Sequence, residues 1–214
     1  MRTNEEYKKL SISEFNKAAS KYETNKAGVY KLCRNDYPKI LNEIENVEFD
    51  MLLDAGCGTA PMLSLLKEKY PNKKFVGIDL SDKMIEVAKS KNLDNVEFVV
   101  GDCENLPFEE NTFDIIINSQ SFHHYPNPQA FFDSVNKVLK PGGILILRDM
   151  YIPIKPARWF ANNIELPFLN LLGYGDVKTH SLDEIRQYCK NSNLKIIKLE
   201  HQRVMRMHLV ASKI

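Results

Sequence analysis

Three acidic side chains follow short apolar runs, at positions where parallel strands would end. Asp54 precedes the paired glycines Gly56 and Gly58 in the run L-L-D-A-G-C-G-T-A, and glycine there lets the backbone approach a ligand closely. Asp79 ends a second run, where a carboxylate can accept from both hydroxyls of a ribose. Asp102 follows a third run and suits an adenine amino group. Because Asp54 would repel phosphate, the pattern predicts a site for an adenosine-containing ligand with a positive group.

The glycine pair has other interpretations. A dinucleotide fingerprint G-x-G-x-x-G needs a small residue where this chain has Pro61, and Asp102 is a second argument against a nicotinamide-dependent oxidoreductase. The loop could also be an ordinary strand-to-helix turn, and Asp102 a simple turn residue.

The elements that must position these residues alternate along the chain. Apolar runs predict strands, and amphipathic stretches between the first five predict helices, which indicates parallel strands joined by crossovers. The architecture expected is a doubly wound α/β sheet. Strands are expected at 49–54, 74–79, 96–100, 113–118, 143–149, 194–199 and 206–212, and helices at 60–70, 81–90 and 128–139.

The chain length of 214 residues suits a single domain with four regions. We expect an N-terminal helical cap over 1–48, interrupted at Pro38, and a cofactor-binding core over 49–150. A substrate or lid insertion over 151–180 precedes a C-terminal helix and strand pair over 181–214. The aromatic residues of the insertion are expected either to form the core of a helical pair or to wall a pocket; they are Trp159, Phe160, Phe168 and Tyr174.

Charge and cysteine content limit the function classes. With 29 basic and 28 acidic residues, net charge +1, the chain has no excess of cations for binding nucleic acid. The four cysteines are far apart and none lies in a C-x-x-C pair, so neither a disulfide framework nor a metal site is expected. No apolar run approaches the length of a membrane span or resembles a signal peptide, so a soluble, cytoplasmic protein is expected.

Five segments, in order and at similar spacing, resemble the class I S-adenosylmethionine-dependent methyltransferases. Within that class, the segments resemble those of the small-molecule type, a broad group that includes the quinone-biosynthesis C-methyltransferases. The matching segments are 52–60, 76–81, 100–108, 113–116 and 139–143. The resemblance implies a mostly parallel, seven-stranded, Rossmann-like sheet, S-adenosylmethionine as cofactor and S-adenosylhomocysteine as product.

The resemblance also implies residue roles. Asp54 would lie near the methionine ammonium, Asp79 would hold the ribose, and Asp102 would accept from the adenine amine. Upstream, Tyr22 would close over the cofactor, although Asn16 and Glu23 replace the aspartates usual around it. The full set of implied cofactor residues is Tyr22, Asp54, Gly56, Cys57, Gly58, Asp79, Leu80, Met84, Asp102, Cys103 and Ser119.

Catalytic residues are less clearly marked. His123 and His124 follow the fourth strand on the cofactor side, so either ring could act as a base, or both could serve only in packing. Asp149 and Tyr151, at the end of the fifth strand, are comparable candidates. Asp114, at the entry to the fourth strand, is expected to be structural.

The acceptor is expected to be a small molecule. The sequence N-S-Q-S after the fourth strand lacks the N-P-P-Y motif of amine-directed DNA, RNA and protein-glutamine enzymes. The fifth strand ends in R-D-M, unlike the ending of the quinone enzymes, so no quinone is named. A non-catalytic cofactor-binding module remains an alternative, and the oligomeric state stays open.

Overall fold

One seven-stranded sheet organises the protein in a computed structural model that describes residues 2–24, 33–202 and 205–214. The predicted strands are all present, and their ends differ from expectation by a few residues. The strands are β1 Met51–Ala55, β2 Lys74–Asp79, β3 Val96–Val100, β4 Phe113–Ser119, β5 Leu139–Met150, β6 Leu194–Gln202 and β7 Arg206–Lys213.

The strand order is β3-β2-β1-β4-β5-β7-β6. Strands β1 to β5 pair in parallel, and β7 runs antiparallel to both β5 and β6. The order reverses between β1 and β4, and ligands of open α/β sheets bind at such a switch point, outside the carboxyl ends of the strands. The expected Rossmann-like, mostly parallel sheet is confirmed.

Helices connect the strands and cover both faces of the sheet. Ser81 begins one of them as expected, since its Oγ accepts from the Met84 amide at 3.1 Å. The α-helices are α1 Asn4–Ala18, α2 Tyr37–Ile44, α3 Pro61–Lys69, α4 Asp82–Ser90, α5 Pro128–Val138, α6 Lys155–Phe160, α7 Leu166–Leu171 and α8 Leu182–Asn191. Three short 3-10 helices also lie near the site, at Ala19–Lys21, Cys103–Asn105 and Phe122–His124.

Successive residues of the central strands enter two different cores. Leu52 and Ile115 pack on one face of the sheet, whereas Leu53 and Ile116 pack on the other. All four are fully buried, which explains why these strands are apolar throughout rather than alternating. Asp114, as expected, is structural: its carboxylate accepts from the Met51 amide at 2.9 Å and pairs with a lysine.

The N-terminal region differs from expectation at Pro38. This proline lies in the first turn of α2, where a missing amide costs nothing, and so it begins a helix instead of interrupting one. Residues 1 and 25–32 of the expected N-terminal cap lie outside the described residues. Within the described ranges, no helix is long and apolar enough to cross a membrane.

The insertion after β5 is helical, but both expectations for its aromatic residues are wrong. Trp159, Phe160, Phe168 and Tyr174 are neither a buried core nor a pocket wall, because each is about half exposed and none lines the main cavity. Helices α6 and α7 are joined by a π-helical turn, Ala161–Glu165. The side chains that α6, α7 and the turn between them bury are Ala161, Leu166 and Asn170.

Candidate functional site

An open cavity of about 940 Å³ lies at the carboxyl ends of β1 to β4, next to the switch point. This volume includes space that is open to solvent. Every residue that the sequence marked for the cofactor lines this one cavity: Tyr22, Asp54, Gly56, Cys57, Gly58, Asp79, Leu80, Met84, Asp102, Cys103 and Ser119.

The glycine loop is shaped by close approach. Gly56 has φ +80°, and a Cβ there would lie 2.0 Å from the Ser121 Oγ, so no other residue fits. The amides of Gly56 and Cys57 both donate to the Ile78 carbonyl, at 2.8 and 3.0 Å, which ties the loop to the end of β2. Ala60, where many relatives have a third glycine, takes the left-handed conformation with φ +61°.

Asp54, at the end of β1, is buried without a counter-charge. Its exposed fraction is 3%, and among the described residues no donor hydrogen-bonds to its carboxylate. Burial, with a further contribution from the charge of Asp79, raises the pKa of Asp54 to about 8. A buried carboxylate without a partner is unfavourable, so this position suits a ligand that brings a positive charge.

Asp79, at the end of β2, helps to hold the loop. Its two oxygens accept from the Gly58 amide and from the Ser81 amide, each at 2.9 Å. Burial raises the pKa of Asp79, and these amide hydrogen bonds partly oppose that shift. Because a carboxylate has about four lone-pair sites, it keeps capacity for two hydroxyl donors.

Asp102, after β3, is a turn residue and also forms an ion pair beside the cavity. Its Oδ1 accepts from the Glu104 amide at 2.9 Å, as a turn residue would. Its Oδ2 pairs with the Lys8 ammonium at 2.7 Å, and Lys8 also pairs with Glu104 at 2.6 Å. Lys8 comes from α1, so the N-terminal helix reaches the adenine end of the predicted site, a contact that the sequence did not indicate.

The N-terminal residues are anchored on the sheet next to the cavity. Glu23 accepts from the Thr59 hydroxyl at 2.5 Å and pairs with Lys91 at 2.5 Å, so the chain beside Tyr22 is attached to the glycine loop. The Asn16 side chain accepts from the Ser81 hydroxyl at 2.6 Å. Asn16 and Glu23, which replace the aspartates usual at these positions, therefore make structural contacts of their own.

His123 does not reach the cavity wall but lies between two carboxylates. Its Nδ1 is 2.6 Å from an Asp149 oxygen, and its Nε2 is 3.3 Å from an Asp176 oxygen. Burial alone would lower the pKa of His123, but the two carboxylates outweigh it and raise the pKa to about 10. At neutral pH this ring is a cation that joins Asp149 at the end of β5 to Asp176 in the segment after α7. It therefore cannot take up a further proton.

His124 lines the cavity beside α1, with its ring edge against Phe15 at a centroid distance of 5.0 Å. Burial, together with the His123 cation, lowers the pKa of His124 to about 4. Its ring is therefore neutral at pH 7 and a weak base. Its buried Nδ1 has no hydrogen-bond partner among the described residues.

The two other catalytic candidates lie away from the cavity. The Asp149 carboxylate also accepts from the Met150 and His123 amides, at 2.6 and 2.7 Å, so it is a structural anchor. Tyr151 contacts the ring of His201, with centroids 5.1 Å apart, and the guanidinium of Arg158. Of the four candidates, only His124 lines the cavity.

A buried ion network lies beside the cavity and was not predicted from the sequence. Asp36 accepts from Arg148 Nη2 at 3.0 Å, from Arg206 Nε at 3.2 Å and from the amide of Gln120, a cavity-lining residue, at 2.8 Å. The two arginines share this carboxylate, and all three side chains are buried. Two arginines on apolar strands could have indicated a buried acid, but nothing in the sequence pointed to Asp36.

Comparisons with known proteins agree with this geometry. Residues 53–147 match the family model described as a methyltransferase domain. Over these residues the chain is similar to the class I S-adenosylmethionine-dependent methyltransferases. A solved structure of a SAM-dependent methyltransferase from Aquifex aeolicus has the same fold, with a TM-score of 0.69 at 20% identity over 95% of this chain and 99% of that one. The YcgJ protein from Bacillus subtilis gives a TM-score of 0.66 at 26% identity, over 79% and 73% of the two chains.

Curated methyltransferases match over part of their length. The chain is 35% identical over 121 residues to the demethylmenaquinone methyltransferase of Staphylococcus saprophyticus, which is 55% of this chain and 52% of the relative. It is 31% identical over 147 residues to that of Thermotoga maritima, 68% and 64% of the two chains. A phthiotriol/phenolphthiotriol dimycocerosates methyltransferase of Mycobacterium leprae is 34% identical over 122 residues, 55% and 45%. The chain thus spans between about half and two thirds of the length of these relatives.

Proposed function

We propose that this chain transfers a methyl group from S-adenosylmethionine to a small-molecule acceptor. The observation that carries the proposal is Asp54, a carboxylate 3% exposed at the cavity, with no cation paired to it among the described residues. The α-ammonium of the cofactor is a cation of suitable size and would restore the ionised carboxylate. A pyrophosphate ligand, as in nicotinamide dinucleotides, would add charge of the wrong sign.

The other polar groups support the same cofactor in a consistent order. From β1 to β3, the sheet edge presents Asp54 for the ammonium, Asp79 for the ribose hydroxyls and Asp102 for the adenine amine. The side-chain amide of Gln120, which lines the cavity, has a second N–H that could donate to the α-carboxylate at the methionine end. Leu80 and Met84 would flank the adenine.

Methyl transfer from a sulfonium requires alignment more than acid–base chemistry. When bound, the cofactor would supply a methyl group already activated by positive charge and would keep the bonding electron pair on its sulfur, while any proton on the accepting atom would pass to solvent. The chain's own residues bind, orient and exclude water. His124 is neutral at pH 7, so it can orient an acceptor by hydrogen bonding, although it is a weak base.

The proposed acceptor is largely apolar. Beyond the cofactor residues, the cavity wall adds Ile12, Phe15, Tyr37 and Met62, with few charges. The relatives named above are called methyltransferases of demethylmenaquinone and of phthiotriol dimycocerosates, and these names also point to apolar acceptors. No particular quinone or lipid is assigned to this chain.

Calorimetry with S-adenosylhomocysteine and with NAD tests the cofactor. We expect saturable binding of the first and none of the second; the opposite result would revive the oxidoreductase alternative. Transfer of labelled methyl from S-adenosylmethionine to apolar compounds in an organic extract then tests the reaction. Tight binding without transfer to any fraction would favour the non-catalytic cofactor-binding module.

A further inference from the structure

The helical insertion exposes an unusual set of large apolar side chains. Its inner side is fixed to the protein by buried Ala161, Leu166 and Asn170. Its outer side, here called the apolar face, consists of residues with large exposed fractions: Ile154 64%, Trp159 60%, Phe160 54%, Ile164 49%, Phe168 59%, Leu171 73%, Leu172 61% and Tyr174 47%.

The size of the apolar face exceeds what a monomer usually exposes. With about 200 Å² for each large side chain and exposed fractions of 47–73%, these side chains together expose on the order of 900 Å². The largest apolar patch of a typical monomer covers roughly 300–600 Å², and larger ones mark interaction or membrane sites. Among the described residues, the other exposed large apolar side chains are single residues on separate elements, such as Leu65, Val100 and Ile197.

The chemistry of the apolar face indicates what it contacts. Trp and Tyr favour the boundary between water and lipid, because each ring has an apolar body and a polar N–H or O–H. Lys155 and Arg158 lie at the start of the helical region, and Arg2 donates to the Asn170 carbonyl near its end, at 3.2 Å. Glu165 is the one carboxylate of residues 154–174. Aromatic and leucine side chains beside cations are typical of helices that lie in the interface of an anionic membrane.

A second copy of the chain fits this pattern less well. A face of this area could form a dimer, since stable interfaces bury about 800 Å² per partner. However, a self-contact would provide the cations at the start of the helix with just one acidic residue per copy from this region. Anionic headgroups would pair with all of them, while the long side chains of lysine and arginine reach out from the apolar layer.

The face also lies on the same side of the protein as the cavity. It follows the carboxyl end of β5, and Gly175 packs so closely on α1 that a Cβ there would lie 2.6 Å from the Ser11 Cα. Ser11 lines the cavity. We propose that residues 154–174 are an interfacial docking surface that binds the protein to an anionic lipid bilayer, with the cavity edge facing the membrane.

Trp159 makes the test direct, because it is the one tryptophan of the chain. The intact protein is titrated with vesicles of phosphatidylcholine containing 30% phosphatidylglycerol, and Trp159 emission is followed. We expect a saturable blue shift, quenching by lipids brominated on their acyl chains, and binding at least tenfold weaker to pure phosphatidylcholine or in 0.5 M salt. The variant Phe160→Ser/Phe168→Ser should lose at least tenfold in vesicle affinity. Its matched control, Ile197→Ser, removes an equally exposed side chain from β6 and should bind normally.

Three outcomes would overturn the proposal. The first is no change of Trp159 emission with either vesicle, and the second is equal binding to neutral and anionic vesicles. The third is a blue shift that grows with protein concentration without lipid, together with a doubled mass in sedimentation, which would make the face an interface between copies. Binding of S-adenosylhomocysteine measured without vesicles keeps this test separate from that of the proposed function, on which it does not depend.

Discussion

The substitution Asp54→Asn separates the cofactor proposal from a purely structural role of this carboxyl group. In the free protein, Asp54 is 3% exposed, unpaired among the described residues, and has a pKa of about 8, against 3.8 ordinarily. Asparagine has nearly the same shape and no charge. It therefore removes the cost of keeping this carboxyl group protonated and leaves the packing almost unchanged.

The effect on stability has a definite sign. Because the folded-state pKa is raised, the unfolded chain releases this proton more readily, and the penalty on folding grows as pH rises from about 4 to about 8. Each pH unit in this window is worth about 1.4 kcal/mol, so at pH 7 the penalty is on the order of 4 kcal/mol. A buried asparagine amide has its own cost of about 1–3 kcal/mol, which does not change with pH. The slope against pH, rather than the absolute gain, is the clean result.

The effect on cofactor affinity should have the opposite sign. Removing one partner of a buried charge pair costs about 2–5 kcal/mol. In the wild type at pH 7, ionising Asp54 costs about 1.4 kcal/mol, and this amount is subtracted from the loss expected in the variant. We therefore expect Asp54→Asn to bind S-adenosylhomocysteine roughly 3- to 400-fold more weakly at pH 7. Wild-type affinity should rise with pH up to about 8, with a proton released on binding, and the variant should release none.

Urea unfolding at pH 5, 6, 7 and 8 measures the first effect, and calorimetry in buffers of different ionisation enthalpy measures the second. The exposed Asp94→Asn is the matched control and should change neither quantity. A stability difference between variant and wild type that stays flat from pH 5 to 8 would refute the description of Asp54 as a strained carboxyl group. Equal affinity and equal proton release in both proteins would refute its role at the ammonium.

Three further predictions concern neighbouring groups. Asp79→Ala should weaken S-adenosylhomocysteine binding by about 2 kcal/mol or more, because two ribose hydroxyls and the Gly58 amide lose their acceptor; unchanged affinity in a folded variant contradicts the ribose role. The inosine analogue of S-adenosylhomocysteine should bind about tenfold more weakly than the parent, and equal competition would leave Asp102 as a turn residue only. His123 should hold its proton until pH approaches 10, so the stability of the wild type should fall between about pH 6.5 and 10. In Asp176→Asn, His123 should titrate at lower pH by NMR. An unchanged titration would argue against an ion pair between His123 and Asp176.

The convergence of the acidic residues on one cavity was predictable for a simple reason. Asp54, Asp79 and Asp102 each follow an apolar run, and the carboxyl ends of parallel strands meet at one edge of the sheet. The positions of the central strands could be predicted from their apolar runs alone, because strands that are buried on both faces are apolar throughout. The resemblance then assigned each side chain to a part of the cofactor, and the structure brings all of them to the same cavity.

The ion pairs around the site were not predictable, because their partners are far apart in sequence. His123 is 26 residues from Asp149, and Asp36 is 112 residues from Arg148. No local pattern marks such partners, since any buried charge could be balanced by many exposed residues of opposite sign. The consequence for function is large: pairing converts His123 from a candidate base into a fixed cation, and burial together with this cation keeps His124 neutral.

The insertion shows a different reason for failure. Aromatic residues at helical spacing usually indicate a face buried within the same chain, and that rule predicted a core or a pocket for Trp159 and Phe168. The rule counts only contacts that the chain can make with itself. A helix that packs through Ala161 and Leu166 already has an inner face, so the remaining apolar side chains must either be covered by something outside the chain or stay in water at a cost. The error of the sequence rule is thus informative, because it marks the surface that we propose docks on a lipid bilayer.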